Sequence, residues 1–362
     1  MLTLKEVAKA AGVSSSTVSA VLRDQGDKLG IKESTRRLVR ETVKTLGYAR
    51  NDLARSMVTG KTRVLGFITP QMGNEHTARV LDGVMRAAVE NDYFVKVFLG
   101  RAPDTPTPVG LSEKRLREAL RSQRMDDMRD VVEKCRRQRL DGVVAYGLGD
   151  GAYLTALAER LRACGIRFAI AGDSLDVPGC DQFLADNRLG GQLMFEHLHG
   201  LGHRRIVALE EYPDASWAQA RLDGFHGAAA RTDARVERIE INPYRLNKFA
   251  PGEATAVYCI TDYTALGVVS LLQREGVKVP EDISVTGFGN LGFSNFSKPR
   301  ITSVDEHLLE LGRLAVSRMI EAEKRGDDLN DDKKTIRETR PVELVIKEST
   351  AAPKHQPVRG GI

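Results

Sequence analysis

Residues 11–24 read AGVSSSTVSAVLRD, with three consecutive serines where the pattern marks the start of a helix. Val18, Val21 and Leu22 give that helix one apolar side, and the Ser14 hydroxyl is placed to accept a backbone N–H at its first turn. The side left outward carries Ser15, Ser16, Ser19, Ala20 and Arg23. Upstream, Thr3-x-x-Glu6 is a capping box, Leu4, Val7, Ala8 and Ala11 recur at helical spacing, and Gly12 suits the left-handed residue that ends a helix. Two short helices with so tight a turn form a helix-turn-helix, whose second helix has the dimensions to enter a DNA major groove. A third helix is expected over 34–48, STRRLVRETVKTLGY. There Thr35, Leu38, Val39, Thr42, Val43 and Leu46 form one stripe before Gly47 and close a small core.

Charge supports a nucleic-acid partner for this head. Residues 1–61 hold twelve Lys/Arg against six Asp/Glu, a net +6, while the whole chain of 362 residues carries +5. A basic head on a near-neutral body is the footprint expected for binding a phosphate backbone. The four cysteines (Cys135, Cys164, Cys180, Cys259) lack C-x-x-C spacing and paired histidines, which argues against a disulfide framework or a zinc site. No apolar run reaches the length of a membrane span, and the N-terminus lacks a signal-like apolar segment, so a cytoplasmic location is expected.

After the head comes ARNDLARSMVTGKTR (49–63), whose apolar stripe is only Leu53 and Met57, too thin for a helix that stands alone. The body then alternates. VLGFIT, YFVKVFL, DGVVAYGL, RFAIAGD, RIVALEE, AVYCI and ISVTGFG read as buried strands, separated by amphipathic stretches such as ARVLDGVMRAAVEN and TALGVVSLLQREG. This rhythm predicts parallel sheets with helices on both faces, and the pattern restarts near Asp186, which suggests two similar lobes with a cleft between them.

With these motifs in order, the chain resembles the LacI/GalR family of bacterial transcription regulators. The resemblance runs from about Leu2 to about Lys347 and rests on TLKEVAKAAGVSSSTVSAVL, STRRLVRETVKTLGY and the hinge N-x-x-ARSM. In the body it rests on DNRLGGQLMFEHLHGLGHRRI, RLDGF, TDYTALGV, REGVKVPEDISVTGF, KPRITSV and ELGRLAVSRM. It implies an all-α helix-turn-helix head (1–50), a hinge helix (51–61) and an α/β two-lobed core similar to periplasmic binding proteins (62–347), with parallel, Rossmann-like lobes, then a tail (348–362). The first lobe is expected at about 62–185 with part of 305–335, and the second at about 186–304 with 336–347. The implied protein is a homodimer that binds near-palindromic operator DNA, most often as a repressor, and changes affinity when a small effector enters the cleft. No cofactor, metal or catalytic residue is implied. On the matching positions, Ser15, Ser16 and Ala20 read bases. Ser14, Ser19, Arg23, Thr35, Tyr48 and Asn51 contact the backbone, and Met57 replaces the usual leucine wedge of the minor groove. Small hydroxyls let a helix sit close in the groove but discriminate weakly, so DNA deformability and Met57 are expected to carry much of the specificity.

The cleft departs from the family pattern. In PQMGNEHTAR, Gln71 replaces an acid and His76-Thr77 replace aromatics; in GFGN, Gly289 stands where an effector-binding aspartate is usual, and Thr261 stands where an asparagine is frequent. His76 by itself reads as a surface histidine. Arg221 matches the family's effector arginine, Asp173 roughly matches another contact, and Trp217 lies one turn before Arg221. With no acid at 289, Arg221 is expected to be an uncompensated cation that favours an anionic, sugar-like ligand. The competing expectation is a cleft that senses nothing, with Arg221 in a structural ion pair. A nicotinamide-dependent enzyme rests only on GLGDGA (147–152), an approximate dinucleotide fingerprint without an acid–base constellation. A secreted sugar-binding protein would fit the body but not the basic head. The charged stretch near 100–130 is expected to be an exposed insertion, and the tail lacks the leucine heptads of a tetramerising coil.

Overall fold

The structure, a computed structural model, describes residues 2–22, 26–27, 29–48, 56–57, 59–100, 127–149, 151–172, 175–212, 215–241, 250–329, 331 and 334–354. Arg23, Asn51 and Asp173, most of the expected hinge, most of the 100–130 insertion and the end of the tail lie outside them. The chain divides into two compact units, Met1–Thr62 and Arg63–Ile362.

The first unit contains α1 (Leu4–Ala10), α2 (Ser15–Leu22) and α3 (Glu33–Leu46). Thr3 caps α1 in a complete capping box with Glu6, Gly12 takes the turn at φ +63°, and Gly47 ends α3 in the left-handed region. Val7, Ala8, Ala11, Val18, Val21 and Val39 form the core, with Leu22, Val43, Leu46 and Tyr48 packed around it. Two expectations are corrected. Leu38 is 47% exposed, because one face of a fourteen-residue helix cannot seat every apolar residue on so small a core, and Val39 takes the central place. Ala20 is only 3% exposed, although it lies across α2 from Val18. The helix is therefore covered at this point and does not present Ala20 outward.

The second unit is α/β throughout. Its first sheet has β1 (Val64–Thr69), β2 (Phe94–Leu99), β3 (Gly142–Ala145), β4 (Arg167–Ala171), β5 (Asp181–Ala185) and β11 (Arg337–Arg340) in the order β11-β5-β4-β3-β1-β2, all parallel. The second has β6 (Arg205–Glu210), β7 (Arg235–Glu240), β8 (Ala256–Cys259) and β9 (Ser284–Thr286) in the order β7-β6-β8-β9, also parallel. The two sheets thus repeat one strand order. Their central strands are apolar runs because both faces are covered: in β1, Leu65 and Phe67 face one core and Ile68 the other, and in β6, Ile206 and Ala208 oppose Val207 and Leu209.

Each lobe also contains the same helix crossing. In the first, α4 (Glu75–Glu90) crosses α9 (Leu308–Arg325) at Gly83 and Gly312. A Cβ on Gly83 would lie 1.9 Å from the Leu309 carbonyl oxygen. In the second, α6 (Asn187–Gly200) crosses α7 (Ser216–Ala229) at Gly191 and Gly224, where a Cβ on either would lie 1.9 Å from a backbone oxygen. Helices α5 (Gly151–Ala163) and α8 (Asp262–Arg274), with the helical residues 127–137, cover the other faces.

The chain passes between lobes more often than its pattern suggested. After β9 it forms β10 (Ser303–Asp305), returns to the first lobe as α9, and adds β11 to the first sheet beside β5. It then crosses back so that β12 (Glu343–Val345) pairs antiparallel with β10. The expectation that 336–347 belongs to the second lobe is corrected for 337–340. An alternating charged strand, RETR, finds its partners at the open edge of the first sheet, where one face stays exposed.

Candidate functional site

In both sheets the strand order reverses beside the first strand, so the loops after β1 and β3, and after β6 and β8, splay apart at the carboxyl ends. Such switch points are where open α/β sheets bind ligands. A cavity of about 580 Å³ lies here. The first lobe lines it with Pro70, Gln71, Gly73, Asn74, His76, Thr77, Tyr146, Gly147 and Gly172; the second with Tyr212, Trp217, Arg221, Thr261, Tyr263 and Thr264; the crossover adds Glu306, and the start of α9 adds Leu308.

Arg221, projecting from α7, is 3% exposed and fully engaged along one edge. Its Nε donates to Asn187 Oδ1 at 2.8 Å, one terminal nitrogen donates to the Ile260 carbonyl at 2.8 Å, and the other to Glu306 Oε1 at 2.5 Å. Its guanidinium also lies over the Phe288 ring (3.7 Å) and the Trp217 ring (4.7 Å). The expectation of an uncompensated cation is therefore corrected. A guanidinium cannot shed its charge on burial, so it is tolerated only with a carboxylate, and the crossover supplies Glu306.

Glu306 is 5% exposed, and its second oxygen, Oε2, has no hydrogen-bond partner. Burial pushes its carboxyl up and Arg221 opposes that shift. His76 Nε2 stands 3.8 Å from Oε2. Burial, together with Arg221 and Arg79, pushes the His76 imidazole down to about 3, so it faces Glu306 neutral. His76 reads from the sequence as a surface residue; its side chain is only 15% exposed and lines the cavity. Gly289 makes room for it, since a Cβ there would lie 2.8 Å from His76 Nε2, and its φ of +118° suits glycine alone.

Beneath the cavity, Glu211 is fully buried and accepts from Thr261 Oγ1 (3.2 Å) and Thr264 Oγ1 (2.6 Å). Burial pushes its carboxyl up to about 7, against the pull of those hydroxyls and of Arg221. Thr261 also caps α8 by accepting from Thr264 N–H. Across the rim, Glu75 Oε1 accepts from Gly292 N–H at 2.6 Å and Arg79 donates to the Asn290 carbonyl at 2.9 Å, which ties α4 of the first lobe to the 289–292 loop of the second.

Of the cleft residues expected from sequence, Gln71, Trp217, Arg221 and Thr261 converge on the cavity, and Gly289 does not line it. Trp217 is partly packed beside Tyr212 and has the Arg221 guanidinium over its ring, so the ring is not wholly open to a ligand. Glu306, Glu211 and the tyrosines 146, 212 and 263 were not anticipated; no local pattern marks them, because they come from separate parts of the chain: after β3, after β6, the start of α8 and the crossover before α9. In the head, Ser14 caps α2 by accepting from Thr17 N–H (3.1 Å), and its hydroxyl also bonds those of Ser16 and Thr17. Ser16 is exposed, Ser15, Ser19 and Thr35 are half-buried, Tyr48 packs on the core, and Met57 is 82% exposed in a short helical segment.

Comparison with known proteins agrees with this arrangement. Residues 3–51 match the family of bacterial regulatory proteins, lacI family, and residues 195–350 match the periplasmic binding protein-like domain. By these matches the chain resembles the LacI family. The HTH-type transcriptional repressor PurR of Vibrio vulnificus is 27% identical over 96% of this chain and 98% of its own length. That of Photobacterium profundum is 28% identical with the same coverage. Among solved structures, the Lac repressor dimer bound to operator and the anti-inducer ONPF superposes with a TM-score of 0.70 at 23% identity, covering 97% of this chain and 99% of that one. A LacI-family regulator from Enterococcus faecium with bound ribose gives 0.64 at 18% identity, over 80% of this chain and all of that one. The chain joins a helix-turn-helix head to an α/β core of parallel sheets. No helix among the described residues is long and apolar enough to cross a membrane.

Proposed function

We propose that this protein is a LacI-family transcriptional repressor that binds near-palindromic operator DNA as a homodimer and is modulated by a small molecule held between its lobes. The observation that carries the sensing half is the cavity of about 580 Å³ at the carboxyl ends of both sheets, with a buried carboxylate oxygen, Glu306 Oε2, left without a partner inside it. A cleft that merely held the lobes together would satisfy that oxygen. The relatives named as repressors support the DNA half. In this reading Ser15 and Ser16 face the bases, with Ser14, Ser19, Arg23, Thr35, Tyr48 and Asn51 towards the backbone, and the buried Ala20 is left out of the reading set. Met57 is the minor-groove wedge, with Gln71, Trp217, Arg221 and Thr261 around the effector and Asp173 beside it. The domain limits stand as proposals at 1–50, 51–61 and 62–347.

The test is selection of DNA from a random pool followed by binding titrations. Specific binding should fall about a thousandfold or more between 50 and 200 mM salt if six or more phosphates are contacted. Met57→Ala should reduce DNA bending in a gel-phasing assay while leaving non-specific binding intact. Affinity flat across that salt range would refute the DNA reading.

A further inference from the structure

We propose that Glu306 selects the effector, admitting an uncharged molecule that presents an O–H or N–H donor to Oε2 and turning anions away. The inference rests on the cleft being a ligand site and goes on to name the ligand's charge. Among the described residues lining the cavity, the ionised side chains are Arg221 and Glu306, and they are paired with each other. The other cation near the rim, Arg79, is paired with Glu75. An anion entering here would meet no unpaired positive charge and would approach a carboxylate whose second oxygen is buried and unpartnered, which costs free energy in a buried site. A donor hydroxyl or amine would instead satisfy Oε2, and His76 Nε2, 3.8 Å from that oxygen, is placed to hydrogen-bond the same group. Gly289 is part of the device, because any side chain there would displace His76. The aromatic walls, Tyr146, Tyr212 and Tyr263, suit the apolar faces of a ring.

The experiment titrates the full-length protein with matched pairs: glucose against gluconate and glucose 6-phosphate, ribose against ribose 5-phosphate. It is followed by calorimetry and by the emission of Trp217, the only tryptophan. Wild type should bind the neutral member of a pair at least about tenfold more tightly than its anionic partners. E306Q, which leaves Arg221 positive, should weaken the neutral member by about ten- to a hundredfold, the loss of one charged hydrogen bond, and strengthen the anion. Should E306Q fail to fold, His76→Ala leaves the ion pair intact and should weaken the neutral member about tenfold at unchanged melting temperature. A wild-type preference for the anionic partner overturns this inference alone, as does unchanged neutral binding by His76→Ala. Silence from both members of every pair overturns the ligand-sensing reading beneath it as well.

Discussion

The head and the cleft serve recognition by opposite physical routes. On α2 the proposed reading residues Ser15 and Ser16 lie outside the apolar cluster that folds the head, and Ser16 is exposed. In the cleft, Arg221, Glu306 and Glu211 are all buried; Arg221 is bonded to Glu306, and Glu211 to Thr261 and Thr264. Recognition and stability are separable in the first region and coupled in the second. A surface hydroxyl can be exchanged without disturbing the core, whereas a buried ion loses its only compensation when its partner goes.

The strongest way to break that contrast is Arg221→Ala. It leaves Glu306 buried without its counter-ion and should cost about 3–5 kcal/mol of stability by denaturant unfolding, together with ligand binding. Loss of binding at full stability would show the two to be separable here too. Glu211 sharpens the contrast through pH. Its folded pKa, about 7, lies above the usual carboxylate value of 4.5. The native state therefore holds its proton more tightly, and the associated stability is present below pH 4.5 and lost as pH rises through 7. The difference amounts to about 3 kcal/mol. Glu211→Gln should flatten the stability profile of the body between those values, measured by unfolding across pH.

The head should behave differently. Ser16→Arg adds a bidentate donor to the exposed face and should redirect base preference towards guanine by about 1–3 kcal/mol, seen in the selected DNA motif. Its effect on stability should stay within about 0.5 kcal/mol. Thr3→Ala, which removes the α1 capping box, should cost about 1 kcal/mol in thermal unfolding without altering the motif selected.

The separability of the head also explains why it was legible. Capping box, glycine turn and apolar spacing are relations over three or four residues, and helical geometry converts them directly into position. What failed there was non-local: Leu38 and Ala20 have burial set by what packs over them, not by their place on the helix. In the body β1, β3, β4, β6, β8 and β9 were legible as apolar runs. β2, read as buried from YFVKVFL, is instead an exposed edge strand, and the buried β5 (DQFLA) did not stand out because its run is short and polar at its start. β7 and β11, written RVERIE and RETR, were not legible, because edge strands with an open face carry charge.

By itself, the sequence determined the helix-turn-helix, the basic head, the parallel α/β body and the reduced acidity at position 289. Each follows from local periodicity or composition. Only the tertiary structure decided the cleft's charge. Arg221 and Glu306 are 85 residues apart and meet because the chain crosses between the lobes just before α9. His76 reaches the same point only because Gly289, on the opposite lobe, has no side chain. Electrostatic compensation depends on distance in space, and burial makes it decisive, so no reading along the chain could assign it.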